Sequence, residues 1–207
     1  GRLLTRAVGF KQPPRRDGLT HAMTTAYEAV PDRAAWVARL AAGWARVRQR
    51  PVAEARVGLI MANYPNRDGR LANGVGLDTP ASVHAAMRTM ADAGYAVDAM
   101  PPDSAGLIAD LRAGPTNEGW QGRACDAAMP LGAYRQAFAQ LPPDLQQAVH
   151  GRWGDAATDP MCDGEALRLP LRRYGNLLVA VQPARGYNID PKANYHSPDL
   201  VPPHNYF

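Results

Sequence analysis

Lysine and cysteine are both scarce in this chain. Arginine supplies nearly all of the 23 basic residues, because the only lysines are Lys11 and Lys192. The two cysteines, Cys125 and Cys162, form no Cys-x-x-Cys pair, which excludes a disulfide framework and a zinc site built from thiolates. The sequence also lacks a run of about 18 apolar residues and a signal-peptide pattern at its start. We therefore predict a cytoplasmic protein that does not enter a membrane.

Nucleotide-binding loops are missing as well. Gly69, Gly74 and Gly76 lie in one glycine-rich stretch, but no Gly-Lys-Ser/Thr follows them, as a phosphate-binding Walker loop requires. A dinucleotide fingerprint would need a third glycine at position 79, where Thr79 stands. The stretch could still present backbone amides to an anion, or it could form a tight turn. Neither nucleotide motif is present.

The net charge of +4 does not come with a nucleic-acid-binding module. Basic residues cluster over 11–16 and 46–50, but a nucleic-acid interface needs a recognisable reading element beside such a patch. We therefore predict no nucleic-acid partner. The planar guanidinium of arginine also suits ligands that carry carboxylates.

Hydrophobic periodicity predicts an α/β fold with a parallel sheet and flanking helices. After an irregular lead-in over 1–31 it indicates helices over 32–50, 79–94, 104–113, 133–141 and 143–153, and strands over 56–63, 95–100, 167–171 and 176–181. The apolar run at 56–63 is typical of a strand buried on both faces. Residues 1–50 then form a lead-in plus a helix, and 51–207 form an α/β region with a long proline-rich C-terminal loop.

Polar side chains follow two of the predicted strands. Asn63 ends one strand and Gln182 ends another. Ligands of open α/β sheets bind beyond the carboxyl ends of strands, so we predict one crevice beside both residues. Arg185 stands just after the second strand, where its guanidinium could hold a carboxylate through two hydrogen bonds. It could equally tie the loop back to its own carbonyls.

The histidines suggest a site without defining one. His196 and His204 lie eight residues apart, which is not a standard helical ligand spacing. Each is either a metal ligand or a hydrogen-bonding group. His84 is predicted on a helix surface and His150 near a helix end. The residues alone thus predict an α/β protein with a polar crevice for an anionic ligand, and they do not predict a reaction.

Several longer stretches carry a family resemblance. They are 175–187 (Gly-Asn-Leu-Leu-Val-Ala-Val-Gln-Pro-Ala-Arg-Gly-Tyr), 195–204 (Tyr-His-Ser-Pro-Asp-Leu-Val-Pro-Pro-His), Asn63-Tyr64-Pro65, 74–82 (Gly-Val-Gly-Leu-Asp-Thr-Pro-Ala-Ser), 111–117 and Trp153-Gly154. Together these stretches resemble the large, tetrapyrrole-binding subunits of ATP-dependent metal chelatases. The resemblance is closest to the CobN-type branch of aerobic cobaltochelatase, and it extends over residues 56–207.

The resemblance implies a fragment of a larger multidomain protein. In this family the large subunit binds tetrapyrrole and Co²⁺ for insertion into hydrogenobyrinic acid a,c-diamide during cobalamin biosynthesis. The partners that the resemblance implies are AAA+ ATPase and metal-binding-domain chelatase subunits. The AAA+ subunits hydrolyse ATP with Mg²⁺, which agrees with the missing Walker loop. A His-x-Gly-x-His-Gly element expected soon after Pro-Pro-His is absent from the sequence. We therefore expect a truncated α/β region that is inactive by itself.

The resemblance also implies roles for individual residues. It implies His204 as the catalytic residue and a metal ligand, His196 as a second metal ligand, and a substrate-binding set made of Asn63, Tyr64, Gln182, Arg185 and Tyr187. Two alternatives stay open. One is a magnesium chelatase large subunit acting on protoporphyrin IX, and the other is a noncatalytic scaffold that docks AAA+ partner subunits.

Overall fold

The computed structural model describes residues 6–63, 71–72, 74, 76–186 and 201–207. The chain divides into two compact units, Gly1–Pro51 and Val52–Phe207. Within the described ranges, no helix is both long enough and apolar enough to cross a lipid bilayer.

The first unit contains short antiparallel strand pairs followed by a long helix. Strand β1 (Gly9–Lys11) pairs with β4 (Tyr27–Ala29), and β2 (Arg15–Arg16) pairs with β3 (Met23–Thr24). The prediction of an irregular lead-in was therefore wrong. Strands of two or three residues are too short to show the alternation by which a strand is recognised.

Helix α1 (Pro31–Gln49) closes the first unit. It begins with proline, whose missing N–H costs nothing in a first turn. Asp32 lies in its first turn and basic residues lie in its last turn, as the helix dipole favours. None of its residues is buried, so the apolar stripe that predicted this helix stays largely exposed.

A three-stranded sheet organises the second unit. Its order is β5 (Val57–Met61), β9 (Leu177–Val181) and β8 (Leu171–Tyr174). Strands β5 and β9 are parallel, with Val57 opposite Leu177 and Met61 opposite Val181. Strand β8 is antiparallel to β9. The predicted α/β fold is thus present, with one parallel pair and a third strand that turns back from it.

The sheet buries only one face. Along β5, Met61 is buried whereas Ile60 is 71% exposed, because successive side chains of a strand point to opposite faces. The inner face forms a core with α2 (Thr79–Asp92) and α3 (Ser104–Ala113) through Val179, Met87 and Leu107. The prediction that this strand is buried on both faces was wrong. A continuous apolar run does not distinguish one buried face from two.

An aspartate caps the first turn of helix α2. The carboxylate of Asp78, its N-cap residue, accepts a hydrogen bond from the Ala81 N–H at 3.0 Å. Asp103 caps α3 in the same way, accepting from the Gly106 N–H at 2.7 Å. The predicted bounds of α3 are confirmed.

The strand predicted over 95–100 is not formed. The Tyr95 N–H donates to the Met90 carbonyl, and the Ala96 carbonyl accepts from the Asn176 N–H at 2.8 Å. The segment therefore binds the β8–β9 turn through a backbone contact at Ala96 instead of joining the sheet ladder. Gly175 in that turn has φ +63° and an added Cβ would lie 2.7 Å from the Ala96 oxygen, so only glycine permits this approach.

Proline divides the strand predicted over 167–171. Strand β7 (Ala166–Arg168) pairs with β6 (Ala128–Pro130), and β8 begins only after Pro170. Since proline has no N–H to continue a ladder, the chain changes sheets at this point. Helices α4 (Leu131–Phe138) and α5 (Pro143–Trp153) pack with β7 into a second core around Tyr134, Phe138 and Val149.

Candidate functional site

The carboxyl ends of the two parallel strands lie side by side. The Gln182 N–H donates to the Met61 carbonyl at 2.8 Å and so extends the pairing of β5 with β9 by one residue. Asn63 follows on the neighbouring strand, is buried, and accepts from the Ala72 N–H through Oδ1 at 3.0 Å. The structure therefore brings Asn63 and Gln182 to one edge of the sheet. Tyr64, Tyr187 and His196 lie outside the described residues.

The carboxamide of Asn117 continues the pairing where β9 runs out. Its Nδ2 donates to the Gln182 carbonyl at 3.0 Å, and its Oδ1 accepts from the Ala184 N–H at 3.1 Å. Pro183 between them has no N–H to offer a strand partner. One side-chain amide thus pairs with the backbone on both sides of Pro183, immediately before Arg185, which is half-buried.

A stiff turn holds Asn117 in place. The backbones of Thr116 and Gly119 exchange two hydrogen bonds of 3.0 and 3.1 Å across it. The guanidinium of Arg123 donates to the Thr116 hydroxyl at 2.8 Å and to the Gly114 carbonyl at 3.3 Å. Gly119 has φ +144°, a backbone conformation that residues other than glycine rarely adopt.

His204 lies in the second core with both ring nitrogens in hydrogen bonds. It is 1% exposed; Nδ1 lies 2.8 Å from the Tyr134 hydroxyl and Nε2 lies 2.9 Å from the Gly154 carbonyl. A carbonyl oxygen only accepts, so Nε2 carries the proton and Nδ1 accepts from Tyr134. In the neutral form of the imidazole, the lone pair is therefore on Nδ1.

Aromatic rings surround this imidazole. The ring centroids of Phe138 and His150 lie 5.2 and 5.4 Å from that of His204. Burial, with a smaller contribution from the charge of Asp159, raises the pKa of Tyr134 well above its ordinary value. Tyr134 therefore remains a protonated hydroxyl at neutral pH and is able to donate to Nδ1.

The segment that carries His204 is fixed at both ends. The indole N–H of Trp153 donates to the Val201 carbonyl at 2.7 Å, and the Asn205 N–H donates to the buried carboxylate of Asp159 at 3.2 Å. Asp159 also accepts from the Met161 N–H at 2.8 Å. The position of His204 is thus set by groups from three separate parts of the chain: Tyr134 of α4, Trp153 and Gly154 at the end of α5, and Asp159.

A groove of about 300 Å³ lies beside His204. It lies against the outer face of the sheet and is lined by His204, Tyr206, Phe207, Ile60 and Ala180. Nε2 of Gln182 donates to the Tyr206 hydroxyl at 3.4 Å. Gln182 therefore contacts Tyr206, a residue that lines the groove beside His204. Among the described residues, no group of three or more His, Cys, Asp or Glu side chains could hold a metal ion.

His84 corrects a further prediction. It was expected on a helix surface, but it is buried and its Nε2–H donates to the Pro101 carbonyl at 2.9 Å. This hydrogen bond allows the polar ring of His84 to be buried on the inner side of α2.

Comparison with known proteins identifies the family. The family model described as CobN/Magnesium Chelatase matches residues 1–207, the whole chain. The chain belongs to this family. It is 48% identical over 206 residues to the aerobic cobaltochelatase subunit CobN of Sinorhizobium sp. and 44% identical over 208 residues to that of Pseudomonas aeruginosa. These alignments cover 100% of the chain but only 16% and 17% of the relatives.

More distant members and a solved structure agree with this assignment. A magnesium-chelatase subunit of Rhodobacter capsulatus is 26% identical over 203 residues, which are 98% of the chain and 16% of that relative. The catalytic subunit of cobaltochelatase from Mycobacterium tuberculosis has the same fold, with a TM-score of 0.70 and 35% identity over 100% of the chain and 17% of that structure. The chain thus spans about a sixth of the length of its CobN relatives, and the predicted family and fold class are confirmed.

Two residues of the candidate site could not be predicted from the sequence. Asn117 belongs to a stretch that resembles the family, but nothing in its neighbourhood along the chain indicates a partner 65 residues away. Tyr134 reads as an ordinary apolar position of α4, and only the fold brings its hydroxyl to His204. Neither contact has a spacing rule from which it could have been predicted.

Proposed function

We propose that this chain is part of the tetrapyrrole- and metal-binding subunit of an ATP-dependent cobaltochelatase. The complete protein would insert Co²⁺ into hydrogenobyrinic acid a,c-diamide during cobalamin biosynthesis. The observation that supports cobalt over magnesium most strongly is the difference in identity along the whole chain. It is 48% and 44% to two CobN subunits and 26% to the magnesium-chelatase subunit of Rhodobacter capsulatus.

The sheet edge supports a role in substrate binding. Hydrogenobyrinic acid a,c-diamide carries carboxylate and amide groups around an apolar macrocycle. Arg185 follows directly on the segment held by Asn117, and a guanidinium binds carboxylates through paired hydrogen bonds. In this proposal Arg185, Gln182 and Asn63 bind the polar periphery of the macrocycle, together with Tyr64 and Tyr187.

His204 is proposed to act through Nδ1. Metal insertion requires a base that accepts protons from the pyrrole N–H groups as the metal–nitrogen bonds form, and a neutral imidazole can do this or can bind Co²⁺. Because the Nε2 proton is donated to Gly154, only Nδ1 has a lone pair. The Tyr134 hydroxyl must move away before that lone pair reaches a proton or the substrate metal. His196 is proposed as a second metal ligand.

ATP is proposed to be hydrolysed, with Mg²⁺, by AAA+ partner subunits. The absence of a Walker loop or a dinucleotide fingerprint from the sequence is consistent with this division of labour. Binding of substrate metal and macrocycle by one subunit, with energy supplied by others, is the arrangement that the family resemblance implies.

The proposal is tested by tetrapyrrole selectivity. The complete polypeptide that contains these residues is titrated with hydrogenobyrinic acid a,c-diamide and, separately, with protoporphyrin IX, and the absorbance spectrum reports binding. We expect tighter binding of hydrogenobyrinic acid a,c-diamide. Preference for protoporphyrin IX would support a magnesium chelatase subunit instead.

One observation favours a second candidate, the noncatalytic scaffold that docks AAA+ partners. His204 is buried and both of its ring nitrogens already have hydrogen-bond partners, as a purely structural histidine would. Binding of neither tetrapyrrole by the complete polypeptide, together with retained binding of the ATPase subunits, would support the scaffold.

A further inference from the structure

Asn117 lies beside the point where the pairing of β9 with β5 ends. The Gln182 N–H pairs with the Met61 carbonyl, but Pro183 has no N–H and ends the ladder. Asn117 binds one backbone group on each side of this proline, the Gln182 carbonyl and the Ala184 N–H. Buried backbone groups must be paired, and Ala184 is 5% exposed.

The carboxamide also fixes the direction of the chain. A single planar group that donates at one end and accepts at the other restricts the backbone on both sides of Pro183. Its own position is fixed by the turn between Thr116 and Gly119 and by Arg123. The geometry at Arg185 therefore depends on a side chain from a different loop.

We propose that Asn117 is a positioning residue that acts through Arg185 in tetrapyrrole binding. This inference rests on the proposed function. Asn117 does not itself contact the substrate; it holds segment 182–184 so that the guanidinium of Arg185 meets a peripheral carboxylate of the macrocycle. Preorganisation of this kind lowers the entropy that binding must remove.

A double-mutant cycle tests this coupling. Asn117→Ala, Arg185→Ala and the double variant are made in the complete polypeptide, and the dissociation constant for hydrogenobyrinic acid a,c-diamide is measured. We expect each single variant to weaken binding about tenfold, the loss of roughly one charged hydrogen bond. The double variant should bind no more weakly than Arg185→Ala alone, because residues that act as a unit are not additive.

Asn176→Ala is the matched control. Asn176 lies just before the other end of β9, where its Nδ2 donates to the Ala53 carbonyl at 2.9 Å. The Asn176→Ala variant therefore loses a similar hydrogen bond from a side chain to the backbone, but far from the candidate site. We expect a decrease in thermal stability and an unchanged dissociation constant.

Asn117→Asp keeps the proposal testable if the alanine variant does not fold. Aspartate retains the acceptor for Ala184 but sets a carboxylate oxygen against the Gln182 carbonyl, so we expect binding to weaken as in Asn117→Ala. Wild-type affinity in a folded Asn117 variant, or effects of Asn117→Ala and Arg185→Ala that multiply, would overturn the inference while the proposed function stands. If the unmodified polypeptide binds no tetrapyrrole, the proposed function itself fails.

Discussion

The hydroxyl of Tyr134 lies 2.8 Å from Nδ1 of His204, while Nε2 of the same ring lies 2.9 Å from the Gly154 carbonyl. The contact with the carbonyl places a proton on Nε2, because a carbonyl cannot donate, so a neutral His204 has its lone pair on Nδ1. The two contacts also join α4 to the C-terminal segment 201–207, since Tyr134 and His204 are 70 residues apart in sequence. Tyr134 thus controls access to the lone pair that the proposed chemistry requires.

Tyr134→Phe should destabilise the fold measurably. The variant leaves Nδ1 of His204 buried without a donor, and a buried acceptor without a partner costs about 1–3 kcal/mol. Urea denaturation of wild type and variant measures the difference in the free energy of unfolding. Tyr27→Phe is the control, because Tyr27 is 78% exposed and its variant should unfold like wild type. Equal stability of the Tyr134 variant would contradict the hydrogen bond.

His204→Gln should separate a chemical role from a structural one. His84 provides the matched control, since it is also buried and donates through Nε2 to a backbone carbonyl. Both glutamine variants should lose about 1–2 kcal/mol of stability. Only His204→Gln should lower the rate of cobalt insertion by the complete chelatase, by about 100-fold or more, as for a lost general base. Equal insertion rates for the two variants would leave His204 a structural residue.

The ion pairs of Arg172 should contribute more to stability than the exposed pair between Arg135 and Asp155. Its guanidinium is 12% exposed and bridges Asp110 at 3.0 Å and Asp126 at 2.8 Å. Arg172→Met would leave two adjacent carboxylates without their shared cation, which should cost about 2–3 kcal/mol. Arg135→Ala removes an ion pair with Asp155 in which both side chains are 54% exposed, and it should cost under about 1 kcal/mol. Thermal unfolding compares the two, and equal costs would contradict the prediction.

Asp163 should make stability depend on acid pH. Backbone hydrogen bonds from Glu165 and Ala166, and the hydrogen bond and charge of Arg168, lower the pKa of Asp163 from 3.8 to about 2. Because the pKa of Asp163 is lower in the folded state than in the unfolded state, the carboxylate stabilises the fold at pH values above the unfolded-state pKa. This stabilisation is lost as the pH falls from about 3.8 to about 2. Denaturation of wild type and Asp163→Asn should therefore give a difference that is constant near neutral pH and shrinks over that window. A constant difference down to pH 2 would contradict the assignment.

Elements with strong local signals were predictable from the sequence. The bounds of α3 and α5 follow from their apolar periodicity and their proline or aspartate starts. The parallel sheet was also predicted, and β5 and β9 form a parallel pair; that these two strands are neighbours was not predicted. Two features were not predicted, because both depend on residues distant in sequence. One is the exposed outer face of the sheet at Ile60, and the other is the backbone contact of Ala96 that keeps 95–100 out of the sheet.

The candidate site was predictable in its location but not in its contacts. The polar residues after two strands indicated the edge where Asn63 and Gln182 meet. The side chains that organise this edge and the second core, Asn117 and Tyr134, come from elements far away along the chain. A single sequence contains no signal for such long-range hydrogen bonds.

The most direct measurement of the central claim is cobalt insertion by the complete polypeptide. It is combined with its ATPase subunits, ATP, Mg²⁺, Co²⁺ and hydrogenobyrinic acid a,c-diamide, and the absorbance change of the macrocycle reports the metal. The account predicts ATP-dependent formation of the cobalt complex and no insertion of Mg²⁺ into protoporphyrin IX. Insertion of Mg²⁺ into protoporphyrin IX, with none of Co²⁺ into hydrogenobyrinic acid a,c-diamide, would contradict it.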